Sequence, residues 1–138
     1  MTATLAAMYQ DRLLAEYRAP KNRRVMSEAT GSAERKNPVC GDAIRVMVRE
    51  SDGRVDDVSF TGQGCSIAVA SASLLTQVIP GADRDEARAM IGQVESMLAG
   101  APATSLPVLL APLRGAVPFK GRHGCVLMPW LALRDALG

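Results

Sequence analysis

The sequence predicts an α+β fold, and three features of the chain support this. Apolar residues recur every third or fourth position in separate segments, which is typical of amphipathic helices. Between those segments, Ile44, Val46 and Val48 alternate with residues that would face the other way. A second alternating segment, 57–61, follows the turn residues 51–53. Two alternating segments joined by a short turn indicate an antiparallel hairpin, flanked on both sides by helices.

The composition is that of a globular chain. Of the 138 residues, 48% are hydrophobic and 22% are charged, which favours a packed core over disorder. The length predicts a single domain over residues 1–138. The net charge of +2 and the scattered basic residues give no stripe for nucleic acid. No apolar run approaches the ~20 residues that span a bilayer, and no leader stands out. We therefore expect a cytoplasmic protein that binds neither nucleic acid nor membranes.

Capping and breaking signals set the boundaries of the predicted helices. The first helix is predicted over Thr4–Tyr17, and a second, rich in small residues, over Cys65–Ile79. The third runs to Leu98 and has the clearest apolar periodicity. Asp83 is its predicted N-cap, and Glu86, three residues later, completes a capping box.

Two other segments have weaker patterns. Lys21–Pro38 is polar and is predicted to be a loop, with room for a short edge strand. Ala101–Lys120 is interrupted by prolines, with a short helix expected near Leu106–Leu110. The last helix is predicted over Val126–Leu137. Pro129 should lie in its first turn, where a missing N–H costs least.

The three cysteines share one kind of position, beside a glycine at the end of a predicted element. Cys40 lies in a turn before the first clear strand, Cys65 opens a helix, and Cys125 lies at or just before the start of the last helix. Backbone N–H groups at a helix start favour the thiolate form of cysteine, which binds metals and attacks sulfur. An odd number of cysteines without a secretory signal argues against a disulfide framework.

The cysteines also have a carboxylate close by in sequence. Cys40 and Asp42 are two residues apart in extended chain. Their side chains should therefore lie on the same side of the chain where the strand begins. Three thiolates and one carboxylate form a four-coordinate set that suits zinc. Isolated cysteines are more often small buried hydrophobes, and no short C-x-x-C motif is present. The metal prediction therefore depends on the shared placement of the three cysteines.

Three segments resemble the motifs of the SufU/IscU family of iron–sulfur cluster biogenesis. They are NPVCGD at Asn37–Asp42, GQGCSIAVASASL at Gly62–Leu74 and RHGCVLMPW at Arg122–Trp130. Met8–Asn22 is similar to that family's N-terminal helix. The resemblance implies a small antiparallel three-stranded sheet with helices packed on one face. It also implies a metal site at one exposed end of the fold.

The resemblance further implies the ligands, the branch and the partners. The implied metal ligands are Cys40, Asp42, Cys65 and Cys125. Gly124 stands where the scaffold branch places a histidine, whereas Arg122 and Trp130 fit the SufU branch. That branch resembles a zinc-dependent acceptor, which takes persulfide sulfur from the cysteine desulfurase SufS and serves downstream Fe–S assembly proteins. Departures outside the ligand set are Glu16 for a histidine, Arg24 for a glycine and Ala68 for a serine.

Three functions stay open from the sequence. The first is sulfur acceptance by Cys40 in a zinc-bound site, with Arg122 stabilising the persulfide by its charge. The second is a scaffold that assembles a [2Fe–2S] cluster on the same four residues. The third is a structural zinc module, ranked last because the hairpin and helices suffice for a core. For Arg122 a surface salt bridge is an equal alternative, His123 is expected to be a solvated loop residue, and Trp130 is expected in the core.

Overall fold

A three-stranded antiparallel sheet with α-helices before and after it forms the framework, in a computed structural model that describes residues 5–37, 41–102 and 104–138. In chain order the elements are α1 (Leu5–Arg18), β1 (Gly31–Asn37), β2 (Asp42–Ser51), β3 (Arg54–Gln63), α2 (Ser66–Val78), α3 (Arg84–Leu98) and α4 (His123–Leu137). Two 3₁₀ segments, Val108–Ala116 and Lys120–Arg122, lie between α3 and α4. The predicted α+β fold class is confirmed.

The hairpin formed by β2 and β3 agrees with the alternating pattern of the sequence. Ile44, Val46 and Val48 are fully buried, and Val46 pairs opposite the fully buried Phe60. Met47 belongs to the other face of the strand, as the alternation predicts. A half-buried strand would expose that face, yet Met47 is only 5% exposed. Its cross-strand partner Ser59 is also buried. The centre of the second sheet face is therefore shielded from solvent as well.

All of β1 falls in Lys21–Pro38, which the sequence predicts to be a loop with room for a short edge strand. The strand pairs with β2 over its whole length, from Gly31 opposite Val48 to Asn37 opposite Asp42. Its residues are exposed or half-buried, so they lack the apolar alternation that marks a strand in sequence. Backbone pairing with β2 therefore defines this edge strand.

The helix α2 lies at the centre of the molecule. It contacts α1, α4 and β3, and all nine residues from 68 to 76 are buried. The small side chains predicted for this helix allow that close packing on several sides. Its bounds agree with the prediction, since Cys65 is the N-cap residue and Ile79 the C-cap residue.

The capping box predicted for α3 is present. The Asp83 carboxylate accepts a hydrogen bond from the Glu86 backbone N–H at 2.8 Å, and the Glu86 carboxylate accepts one from the Asp83 N–H at 3.2 Å. After α3 in the chain, a short helix is expected at Leu106–Leu110. The structure has instead a longer 3₁₀ segment, with the buried Pro112 inside it. A 3₁₀ turn accommodates the proline-broken sequence that an α-helix would not.

The start of α4 differs from the prediction. The helix begins at His123 rather than Val126, so Cys125 is its third residue and lies inside the first turn. Pro129 is the seventh residue, beyond the first turn where it was predicted. The preceding 3₁₀ segment runs directly into α4, which carries the helical backbone upstream of the predicted start. Trp130 is fully buried, as predicted. Within the described ranges, every helix is too short or too polar to cross a membrane.

Candidate metal site

Asp42 and Cys65 meet where β2 begins and α2 is about to start. The Asp42 carboxylate oxygen Oδ2 accepts a hydrogen bond from the Cys65 backbone N–H at 3.1 Å. Both residues are half-buried. The contact joins positions 23 residues apart, so it depends on the β2–β3 hairpin bringing the two chain segments together. A carboxylate is thereby held beside the first of the described cysteines.

Two glycines shape the connection between β3 and Cys65. Gly62 has a φ of +115°, and a Cβ there would lie 2.1 Å from the Ala43 carbonyl oxygen. A Cβ on Gly64 would lie 3.0 Å from the Ala68 Cβ and 3.6 Å from Asp42 Oδ2. At Gly62 only glycine therefore lets the chain turn this close to β2, whereas at Gly64 a Cβ would make a tight contact. The sequence places glycines beside Cys65, but it does not indicate which carboxylate the chain approaches.

The side chain of Cys65 takes no part in capping α2. The residue has N-cap backbone angles, with φ −62° and ψ 166°, yet its sulfur makes no capping hydrogen bond. Its backbone N–H is bonded to Asp42 instead. The sulfur thus lies at the positive end of the α2 dipole, where a negative charge is favoured.

The other two predicted cysteine ligands are less directly described. Cys125 is buried, 8% exposed, in the first turn of α4, and α4 packs against α2. Cys40 lies outside the described residues, between Asn37 and Gly41, whose backbones are joined by a 2.9 Å hydrogen bond from Gly41 N–H to the Asn37 carbonyl. Across 5–37, 41–102 and 104–138, no three histidine, cysteine, aspartate or glutamate side chains are grouped so that they would hold a metal ion. The four-ligand set therefore stays a prediction.

The donor chemistry that is described fits the predicted metal. Cys65 and Cys125 offer sulfur and Asp42 offers a carboxylate oxygen, which are ligands that zinc accepts. Asp42 is already fixed in orientation by the Cys65 N–H, as carboxylate ligands usually are by a neighbouring donor.

Two basic residues precede Cys125. Arg122 ends the second 3₁₀ segment and is exposed, and its guanidinium forms no ion pair or hydrogen bond with the described part of the chain. His123 is half-buried in the first turn of α4, and its Nε2 lies 2.9 Å from the Val117 carbonyl oxygen. Since a carbonyl only accepts, Nε2 carries a proton and donates. The expectation of a solvated loop residue at His123 is therefore wrong.

One polar cluster was not recognised from sequence. Glu16 on α1 accepts hydrogen bonds from the Ser73 hydroxyl at 2.5 Å and from Gln77 Nε2 at 2.6 Å, both on α2. The Ser73 hydroxyl also accepts from the Lys21 backbone N–H at 2.7 Å. These bonds fix α1 against the central helix. Serine and glutamine one turn apart on a small-residue helix were the signal for a polar partner.

Solved structures with this architecture identify the class of protein. A crystal structure described as a candidate iron–sulfur cluster assembly scaffold for the SUF system, from Fervidobacterium islandicum AW-1, matches with a TM-score of 0.86 at 26% identity. The match covers 98% of this chain and 100% of that one. The N-terminal part of a NifU-like protein from Brucella abortus has the same fold, with a TM-score of 0.83 at 24% identity. The fold is thus that of the iron–sulfur cluster assembly class.

Sequence comparison assigns the family. The zinc-dependent sulfurtransferase SufU of Bacillus subtilis is 33% identical over 137 residues, which covers 98% of this chain and 92% of that protein. The iron–sulfur cluster assembly scaffold protein IscU of Thermotoga maritima is 32% identical over 131 residues, covering 94% and 92%. The NifU-like N-terminal domain profile matches residues 8–110. This chain belongs to the NifU-like N-terminal domain family.

Proposed function

We propose that this chain is a zinc-dependent sulfur acceptor that takes persulfide sulfur from a SufS-type cysteine desulfurase onto Cys40. The observation that supports the proposal most is the contact between Asp42 and Cys65, which holds a carboxylate against the start of α2. The similarity to a relative named as a zinc-dependent sulfurtransferase over nearly the whole chain supports the same reading.

Four residues would hold the zinc, with donor atoms from three parts of the fold. They are Cys40, Asp42, Cys65 and Cys125. Bound zinc would keep the cysteine sulfurs in the thiolate form at neutral pH. Asp42 and Cys65 are brought together by the hairpin, and Cys125 is brought near α2 by the packing of α4.

Cys40 is the proposed acceptor because the other two cysteines are held by helix starts. Cys65 is the N-cap of α2 with its N–H bonded to Asp42, and Cys125 is buried in the first turn of α4. Cys40 belongs to the short connection between β1 and β2. Cys40 itself belongs to neither helix.

The transfer is a thiol–persulfide exchange. The Cys40 thiolate attacks the terminal sulfur of the persulfide on the desulfurase cysteine, and a new S–S bond forms. The old S–S bond breaks, and its electron pair leaves on the desulfurase cysteine as a thiolate. No external oxidant or reductant is needed. Arg122, whose cation is unpaired within the described residues, is the proposed group that stabilises the persulfide or thiolate by its charge.

A scaffold that assembles a [2Fe–2S] cluster on the same four residues is the second candidate. It is favoured by relatives named as IscU scaffolds, one of them matched over 94% of this chain. In either function we expect the protein to work in the cytoplasm with downstream Fe–S assembly proteins.

Metal analysis combined with mass spectrometry tests the proposal. The chain is purified without oxygen, and zinc, iron, sulfide and visible absorption are measured. It is then incubated with the desulfurase and cysteine, and the modified peptides are located. We expect a colourless protein with one zinc per chain and one extra sulfur on Cys40. A brown protein containing iron and sulfide would favour the scaffold. Extra sulfur mainly on Cys65 or Cys125 would reverse the assignment of the acceptor.

A further inference from the structure

The outer edge of β3 carries a short backbone bridge to residues 22–24, which follow α1 in the chain. The Phe60 N–H donates to the Asn22 carbonyl at 3.1 Å, and the Arg24 N–H donates to the Phe60 carbonyl at 3.0 Å. Asn22 has a φ of +58°, and its side-chain amide donates to the Thr76 hydroxyl of α2 at 3.1 Å. Residues 22–24 are therefore fixed along β3 and against α2.

The side chain of Arg23 extends this pairing by one more hydrogen bond. Backbone groups of residues i and i+2 in a strand point the same way, so the Gly62 carbonyl faces the outer edge as the Phe60 carbonyl does. The guanidinium of the exposed Arg23 donates to the Gly62 carbonyl at 2.6 Å. Its carbon Cζ lies 5.8 Å from the centre of the Phe60 ring. The bridge thus reaches the last residue but one of β3.

Gly62 is the point at which the chain leaves β3 for the candidate metal site. Its φ of +115° lies outside the range of ordinary strand residues, and it precedes Cys65 by three positions. Glycine has no side chain that would hold this bend by packing. A shift of the Gly62 peptide would move Cys65 relative to Asp42, and the bond between these two residues is 3.1 Å long. The hydrogen bond from Arg23 opposes that shift.

We propose that Arg23 is a positioning residue of the candidate metal site, and that its guanidinium holds the Gly62 peptide so that the Cys65 N–H stays against Asp42. Arg23 binds backbone at Gly62, so it acts on the predicted ligands through the chain. The consequence for zinc rests on the proposed function, whereas the consequence for the Asp42–Cys65 contact does not.

The neighbouring arginine provides a matched control. The guanidinium of Arg24 donates to both carboxylate oxygens of Asp57 at 2.8 Å, and Arg24 uses its backbone N–H for the bond to Phe60. Arg23→Met and Arg24→Met therefore remove the same charge from adjacent positions, but only the first releases the Gly62 carbonyl. Arg23→Lys keeps the charge and one donor, although its side chain is shorter.

Hydrogen exchange of the Cys65 N–H, followed by NMR on the purified full chain, reports on the contact directly. We expect this amide to exchange about tenfold faster in Arg23→Met, because it leaves Asp42 more often. It should stay within about twofold of wild type in Arg24→Met, and Arg23→Lys should restore part of the protection. Wild-type exchange in Arg23→Met would overturn the proposal, and so would equal acceleration in Arg24→Met.

Zinc affinity, measured by competition with a chelator, provides a second readout. Groups that orient metal ligands from outside usually contribute tenfold or more to metal affinity, so Arg23→Met should bind zinc about tenfold more weakly. Arg24→Met should bind zinc within about twofold of wild type. With cobalt(II) in place of zinc, the absorption bands of Arg23→Met should differ from those of Arg24→Met, because they report ligand geometry. Unchanged zinc affinity in Arg23→Met would overturn the role in metal binding.

The outcomes separate this inference from the proposed function. If sulfur reaches Cys40 while Cys65 exchanges equally in Arg23→Met and wild type, the positioning role is wrong and the transfer stands. If exchange accelerates selectively at Cys65 but wild type accepts no sulfur, the positioning role stands and the proposed function fails. Exchange that accelerates equally along the whole β2–β3 ladder would mean that Arg23 stabilises the sheet as a whole, which also overturns the proposal.

Discussion

The hydroxyl of Ser71 on α2 accepts a 2.9 Å hydrogen bond from the indole N–H of Trp130 on α4. The same hydroxyl donates to the Val126 carbonyl at 2.7 Å, one helical turn before Trp130. Ser71 and Trp130 are both fully buried. One small side chain thus satisfies a donor and an acceptor at the interface of two helices that carry predicted ligands.

Ser71→Ala should lower the free energy of unfolding by about 1–3 kcal/mol, because the Trp130 N–H and the Val126 carbonyl each lose a partner in a buried place. Urea unfolding followed by tryptophan fluorescence reports on this directly, since Trp130 is the only tryptophan. Ser96→Ala, at an exposed position of α3, is the control and should change stability little. Similar losses in both variants would contradict the role given to Ser71.

Two roles of Cys65, as a metal ligand and as the N-cap residue of α2, can be tested separately with serine and alanine variants. Cys65→Ser and Cys65→Ala should both lose zinc, because neither side chain ionises near neutral pH. After chelation of the metal, Cys65→Ser should unfold at higher urea concentration than Cys65→Ala, with a difference of about 0.5–2 kcal/mol, because a serine hydroxyl caps a helix.

The corresponding serine variants of Cys40 and Cys125 should also lose zinc. Full zinc occupancy in all three would exclude the four-ligand site. If the chelated wild-type protein proves unfolded, the structural zinc module gains support over the transfer function.

Variants at Asp42 distinguish whether this residue binds the metal or only positions Cys65. Asp42→Asn keeps an oxygen that accepts from the Cys65 N–H but removes the charge, whereas Asp42→Ala removes both. If Asp42 binds zinc, both variants should bind it more weakly and stimulate the desulfurase less, without colour. If Asp42 only orients Cys65, the asparagine variant should behave like wild type. A persistently brown, iron-containing Asp42→Ala would favour the scaffold.

Gly62→Ala should destabilise the protein and reduce its zinc content together. At a φ of +115° a side chain costs about 1–3 kcal/mol, and the added Cβ would collide with the Ala43 carbonyl. The displaced strand would separate Asp42 from Cys65. Gly92→Ala is the control, since a Cβ there meets nothing within 4 Å inside α3, and it should raise stability by up to about 1 kcal/mol. Thermal unfolding and zinc analysis of the pair provide the test.

The capping box of α3 should make that helix sensitive to acid. The hydrogen bond from the Glu86 backbone N–H lowers the pKa of Asp83 below its ordinary value of 3.8. The cap's contribution is therefore fully present above pH ~4 and is lost as the pH falls through the lowered pKa. Asp83→Asn, which caps without ionising, should be less sensitive to this change. Urea midpoints of the two proteins at pH 7 and pH 3 should show a larger loss for wild type.

Local signals predicted much of the fold. Asp83 and Glu86 predicted the start of α3, because a capping box acts over only three residues. The alternation at Ile44–Val48 predicted β2, because one face of that strand is buried. The strand β1 has no such signal, since its identity comes from pairing with β2. The early start of α4 is not predicted, because a proline is expected in the first turn of a helix and Pro129 lies beyond it.

The candidate site was predicted in part. The residue types and their glycine neighbours indicated metal chemistry, but the bond from Cys65 to Asp42 spans 23 residues and depends on tertiary structure. The partner of His123 likewise has no signal in the sequence, because its bond to Val117 depends on how the second 3₁₀ segment leads into α4.

Cys65 is also the last residue before a helix whose central nine residues are buried. Each residue added to an α-helix turns it by about 100°. A one-residue insertion or deletion between Gly62 and Ser66 would therefore force a choice between rotating the buried helix and displacing the sulfur. The position of the Cys65 sulfur and the orientation of the buried face of α2 are therefore fixed by the same residue spacing. Length variation among related proteins should accordingly avoid this junction and accumulate in exposed connections, such as the one that leaves α3 at residues 101 and 102.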